Sequence, residues 1–182
     1  MFLAYLCRII KRGMIKVKLT ATEIEIAGIL EKDARLTNDE LAKMTDLSVD
    51  QINQIVKKLE DQKVIVRYVS LVDWTKIDGH QGVTAMIDVK VTPKRDVGFN
   101  EVAKRIYRHK EVKSVYLMSG TYDLSVQVEG QSVNDVAHFV SQKLSTIEGV
   151  ISTTTHFVLK KFKHDGTIYD SDDRDKRIVV SP

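Results

Sequence analysis

The feature that most constrains this 182-residue chain is an internal repeat. Asn100-Glu101-Val102-Ala103 is echoed by Asn134-Asp135-Val136-Ala137, and each copy is followed by the opening of a strand, at Glu111-Val112 and at Gly149-Val150. Ahead of the first copy, Val83, Ala85, Ile87, Val89 and Val91 alternate with Thr84, Met86, Asp88, Lys90 and Thr92. That period of two predicts a strand, ended by Pro93. A helix is expected from about 97 to 108, with Phe99, Val102, Ala103 and Ile106 on one face. Strands follow over about 112–119 and 123–129, meeting at a Gly-containing turn. A second helix is expected over about 133–144, turning Val133, Val136, Ala137, Val140 and Leu144 inward, and a last strand over about 150–162. A duplicated βαβ half predicts a ferredoxin-like βαββαβ sandwich: four antiparallel strands with both helices on one face. The other face then needs water or a cover. Met86, Tyr116 and Met118 can help cover it against a second subunit.

The segment ahead of the repeat has a different period. A helix is expected over about 21–33, with Ile26, Ala27, Ile29 and Leu30 as its apolar side. Thr37-Asn38-Asp39-Glu40 is a capping box that opens a second helix carrying Leu41, Ala42 and Met44. Ser48-Val49-Asp50-Gln51 is another, opening a third helix that runs to about 62 and buries Ile52, Ile55 or Val56, and Leu59. Only Thr45-Asp46-Leu47 separates the two. Two short helices joined so tightly, packed on a preceding one, form a helix-turn-helix. The β-prone run 64–72 stands where a winged version places its wing or exit strand. The third helix then enters the major groove N-terminus first. Its candidate DNA contacts are Ser48, Asp50, Gln51, Asn53, Gln54, Lys57 and Lys58. Gln and Asn can pair with adenine through two hydrogen bonds, and the lysines suit phosphates or guanine. The competing reading is a three-helix packing unit whose polar face is only solvated.

Charge bears on that choice. Residues 1–19 carry +5, residues 20–82 carry −4 and residues 83–182 carry +2. DNA affinity needs cations near phosphates, so the basic arm or several copies of the domain would have to supply it. The arm (1–18) places an apolar run before its basic patch, the reverse of a signal peptide, and the run is too short to span a bilayer. It is either an anchor or DNA-contacting arm, or a translated leader ahead of a true start at Met14. Residues 67–82, with Trp74, Gly79 and Gly82, read as a connector. The tail, 164–182, contains an acidic run and then Ile178-Val179-Val180, which can add an edge strand to a neighbouring subunit. The single cysteine, Cys7, and scattered histidines offer no disulfide or metal spacing. Nor does any nucleophile–base pair or phosphate loop point to an enzyme or a cofactor.

A helix-turn-helix at 19–66 followed by this sandwich at 83–163 resembles the Lrp/AsnC, or feast/famine, family of bacterial and archaeal regulators. The residues that carry the likeness are Leu36-Thr37-Asn38-Asp39-Glu40-Leu41-Ala42, Leu47-Ser48, Val56-Lys57-Lys58-Leu59-Glu60, Val64-Ile65, Gly120-Thr121-Tyr122-Asp123 and Thr153-Thr154-Thr155. The resemblance implies a winged helix-turn-helix regulator that binds double-stranded DNA, and the single cysteine fits a reducing, cytoplasmic setting. The resemblance also implies homodimers built on the sandwich, often four dimers closed into an octamer, and a small effector, usually an amino acid, bound between dimers. The family's Gly-x-Tyr/Phe-Asp turn maps onto Gly120, Tyr122 and Asp123, and its Thr-x-Thr onto Thr153 and Thr155. With Ser119 and Thr121 these form the candidate effector site. Asp123 can take an ammonium, while turn N–H groups and Thr hydroxyls hold a carboxylate. The chain departs from the family at Gln54 and Ile55, where basic residues are common, at Thr121, where an acid is common, and at Thr154, where Arg is common. The alternative function is a ligand-binding or interaction module with weak or lost DNA binding.

Overall fold

The structure is a computed structural model that describes residues 16–80, 82–92 and 98–169. The expectations for the N-terminal arm, for Pro93 and Val97, and for the tail beyond Tyr169 lie outside the described residues. The chain divides into two compact units at residues 72 and 73, inside the expected connector.

The first unit has three helices: α1 Ala21–Lys32, α2 Asn38–Thr45 and α3 Val49–Asp61. Each begins with a complete capping box: Thr20 with Glu23, Thr37 with Glu40, and Ser48 with Gln51. Each box satisfies two backbone N–H groups that a helix start leaves unpaired. The turn into α3 is closed by Asp46 in the left-handed region (φ 54), a conformation that Asp tolerates because its short polar side chain can hydrogen-bond locally. Ile26, Leu30, Leu41, Ala42, Ile52 and Leu59 are buried together, with Ile55 and Val56 packed at the edge. Met44 is not among them; it is 58% exposed. The expected wing strand over 64–72 is not formed. The segment is irregular, and the described residues of this unit hold no extended partner segment for it, so Val66, Val69 and Leu71 stay exposed.

The second unit is the βαββαβ sandwich: β1 Val83–Val91, α4 Phe99–Tyr107, β2 Val112–Leu117, β3 Leu124–Gly130, α5 Val133–Phe139 and β4 Val150–Phe157. The sheet order is β2-β3-β1-β4 and every pairing is antiparallel. Ala85, Ile87, Val89 and Val91 are buried beneath the helices, as their alternation requires. The inward face of α5 is rotated from the expectation. Val136, Phe139, Val140 and Leu144 face the core, whereas Val133 and Ala137 are exposed. The helix continues as a π turn, Val140–Leu144, which shifts its last residues around the axis. β4 stops at Phe157, five residues early. A small hairpin follows, β5 Lys163–His164 against β6 Thr167–Ile168, turned by Asp165 and Gly166 at φ 49 and 77.

Candidate functional site

The two candidate sites lie one in each unit. In the sandwich, the β2–β3 turn is anchored to its neighbour strand. Met118 N–H donates to the Asp123 carbonyl (2.9 Å), and Asp123 N–H donates to the Val89 carbonyl (3.1 Å). The Asp123 carboxylate accepts from the Val91 N–H (2.8 Å). The Lys90 ammonium stands 3.5 Å from that carboxylate and donates to the Thr121 carbonyl at 2.9 Å. Asp123 is therefore a strand-end cap as well as a charge, and it already carries a cation. The Tyr122 hydroxyl bonds Thr154 Oγ1 at 2.8 Å. Ser119, Gly120 and Thr121 are exposed.

Thr153 and Thr155 do not join this group. The register sets them opposite Val89 and Ile87, on the helix side of the sheet, while Thr154 is opposite Asp88 on the open side. Lys90 and Thr154 are thus turn partners that sequence reading missed. In the sequence Thr154 stands out only as part of Thr153-Thr154-Thr155 and as a departure from a family pattern, and Lys90 only as a polar member of a period-two strand.

In the helical unit, Asp50, Gln51, Asn53, Gln54 and Lys57 are exposed along α3. Ser48 Oγ accepts from Gln51 N–H, and Gln51 Oε1 accepts from Ser48 N–H (2.9 Å) and from Ser48 Oγ–H (3.1 Å). Asn53 Oδ1 accepts from Asn38 Nδ2 on α2. Lys58 is engaged elsewhere: its ammonium meets Glu23 Oε1 at 2.6 Å, with the Glu23 side chain 9% exposed. The hydrogen bond from Lys58, then that from Thr20 N–H, holds the Glu23 carboxyl below its ordinary pKa. Glu23 thus does two tasks, capping α1 and tying α3 to it. Thr20-Ala21-Thr22-Glu23 carries the same S/T-x-x-E signature as the Thr37 box, so the cap could have been found from sequence, whereas the tie to Lys58 has no local signal. The Asn38–Asn53 contact carries no sequence signal. Among the described residues no helix is long and apolar enough to cross a membrane, and no three His, Cys, Asp or Glu residues gather as metal ligands.

Comparison with known proteins matches both units. A winged helix-turn-helix DNA-binding family covers residues 19–66, and the Lrp/AsnC ligand binding domain covers residues 84–168. YugG of Bacillus subtilis, an uncharacterized HTH-type transcriptional regulator, is 60% identical over 166 residues, 91% of this chain and 100% of that protein. The Neisseria meningitidis transcriptional regulator NMB0573, solved as a complex with L-Met, is 30% identical with a TM-score of 0.67, covering 81% of this chain and 94% of its own. E. coli AsnC shares the fold at a TM-score of 0.63 and 23% identity, covering 80% of this chain and 95% of its own.

Proposed function

The chain belongs to the Lrp/AsnC family of transcriptional regulators, and we propose that it is a cytoplasmic regulator of this kind whose effector is an amino acid. Its helix-turn-helix binds double-stranded DNA, and its second domain binds a small effector that modulates that binding. In this proposal α3 meets the major groove through Asp50, Gln51, Asn53, Gln54 and Lys57, with Ser48 at its cap and Lys58 bracing it. The effector sits beside Ser119–Asp123 in a dimer or an octamer of four dimers, with Thr153 and Thr155 in the same assembly-built site. The observation that supports this reading most is the pairing of the two domains on one chain. The L-Met held by the 30% identical Neisseria protein supports an amino-acid effector. The mechanism is linkage: an effector that binds one arrangement of copies better shifts the spacing of the DNA-binding units.

The test uses the full-length protein and DNA from upstream of its own gene, in fluorescence anisotropy at low and moderate salt. Expected is retention that competitor DNA does not remove, with a midpoint that moves when one or a few free amino acids are added, L-Met first. Absence of specific retention at both salts removes the DNA reading. Absence of any midpoint shift or calorimetric heat across the amino acids removes the effector reading. Asp123→Asn keeps an acceptor for the Val91 N–H but loses the charge. It should weaken amino-acid binding by about tenfold to a hundredfold, and unchanged affinity would take Asp123 out of the site. Light scattering after size exclusion reads the assembly: a monomeric mass would refute the oligomeric part.

A further inference from the structure

We infer that Gln51 reads hydrogen-bond acceptors on DNA, guanine foremost, and does not read adenine, because its amide oxygen is consumed inside the domain. The inference rests on the DNA-binding reading above and goes on to the kind of base edge selected. Gln51 stands at the third position of α3, in the N-terminal turn that meets base edges in a helix-turn-helix. A free glutamine pairs with adenine through both ends of its amide: Nε2 donates to N7 and Oε1 accepts from the N6 amino group. Here Oε1 has two donors already, Ser48 N–H at 2.9 Å and Ser48 Oγ–H at 3.1 Å, one for each lone pair. The backbone N–H fixes which end of the amide faces inward, since only the oxygen can accept from it. What Gln51 turns outward is its NH2 group alone.

An NH2 group meets guanine's adjacent N7 and O6, two acceptors. Adenine sets a donor, N6, beside its single acceptor, and Gln51 has no oxygen left to receive it. Turning the amide over would leave Ser48 N–H without its partner at the helix start. The neighbours are mixed: Asp50, exposed beside Gln51, carries acceptors only. Asn53 spends one lone pair on Asn38 Nδ2, and Lys57, exposed further along the helix, carries donors only.

The test selects binding sites from a randomised duplex pool with the full-length protein and with Gln51→Glu. Glutamate keeps an oxygen for the Ser48 N–H, so the capping box and the fold survive, which the thermal midpoint checks. It replaces the outward NH2 by an acceptor. Expected is a wild-type motif with guanine at one position in each half-site. Gln51→Glu should bind that motif on the order of tenfold more weakly and move this position alone toward cytosine, whose N4 donates. Replacing that guanine by 7-deazaguanine should weaken wild type and leave Gln51→Glu unaffected. Adenine at the Gln51-dependent position, or a motif unchanged by Gln51→Glu, overturns the inference. A wild-type pool that enriches no sequence overturns the DNA-binding reading itself, and the inference with it.

Discussion

Ile52 lies at the centre of the helix-turn-helix core, and its truncation should remove a large share of that unit's stability. Its side chain is 0% exposed and shares its surroundings with Ile26, Leu30, Leu41, Ala42 and Leu59. Truncating a buried isoleucine to alanine costs about 2–5 kcal/mol, the spread depending on how far the cavity collapses. A domain of roughly 50 residues has about 2.5–7.5 kcal/mol in total, at the usual stability per residue. With so few buried side chains, the loss is a large share of the whole. Hydrogen exchange read by mass spectrometry on peptides from 49–61 measures it locally. Ile52→Ala should lower the protection of α3 by roughly 30-fold or more, with DNA retention falling in step. Ile52→Val should cost about 0.5–1.5 kcal/mol. Met44→Ala is the control, because Met44 is 58% exposed and should stay within about 0.5 kcal/mol. If Ile52→Ala keeps its protection within threefold of wild type, or Met44→Ala loses as much, the account of this core is wrong.

Three further predictions follow from single sites. Gly149 has φ +97, and a Cβ there would come within 3.3 Å of Val102 Cγ2. Gly149→Ala should therefore destabilise the sandwich by about 1–2 kcal/mol from backbone strain alone, visible as a lower melting temperature; no change would contradict the turn geometry. Partial desolvation of a side chain that is still 45% exposed, and then the hydrogen bond to Glu60, pushes the Tyr68 phenol up to about 12 from its ordinary 10.0. Its neutral form is favoured in the folded state, so its contribution is complete below pH 10.0 and is lost as pH rises toward 12. Ultraviolet titration of wild type against Tyr68→Phe should show one phenol ionising late, and an ordinary value would refute the contact. The hydrogen bond from Lys143 (2.7 Å), followed by a backbone N–H, holds the Glu111 carboxyl below its ordinary 4.5. That stabilisation is present above pH 4.5 and disappears as pH falls through the lowered value. Lys143→Met should flatten the acid limb of a stability–pH curve, and an unchanged limb would refute the pairing.

What was legible in the sequence was what local chemistry decides. Thr37 and Ser48 announced helix starts because the capping box is a contact within four residues, and Val83 to Val91 announced a buried strand because its period leaves little choice. The misreadings are of contacts that depend on the whole fold. The run 64–72 has the composition of a strand, but a strand exists only by pairing, and no partner is set beside it in its unit among the described residues. Val133 and Ala137 fitted an ideal helical face, which the real packing of α5 turns toward Phe139. The pairing of Lys58 with Glu23, thirty-five residues earlier, has no local signal in the sequence. Nor does either pattern tell that the register of β4 sets Thr153 and Thr155 apart from Asp123 of the same chain.

That separation has a consequence for how an effector can be sensed. β1 lies between β4 and β3, so Thr153 is two strand spacings, about 10 Å, from the row that holds Asp123. Thr153 and Thr155 also share the helix side with Val89 and Ile87, while Tyr122 reaches Thr154 on the open side. One free amino acid cannot touch the turn and the threonine pair of the same chain at once. If both segments hold one ligand, the threonines must belong to another copy. Occupancy then depends on assembly, and by reciprocity the ligand must strengthen the assembly that binds it. Asp123 sharpens this, since its carboxylate is already satisfied by Val91 N–H and by Lys90. An ammonium gains little there unless a second copy also removes water from the turn, because exposed ion pairs are worth little and desolvated ones far more. Amino-acid affinity should therefore rise with protein concentration across the oligomer's dissociation range. Calorimetric titrations at several protein concentrations would show it, and an affinity that does not vary across that range would place the whole site within one chain.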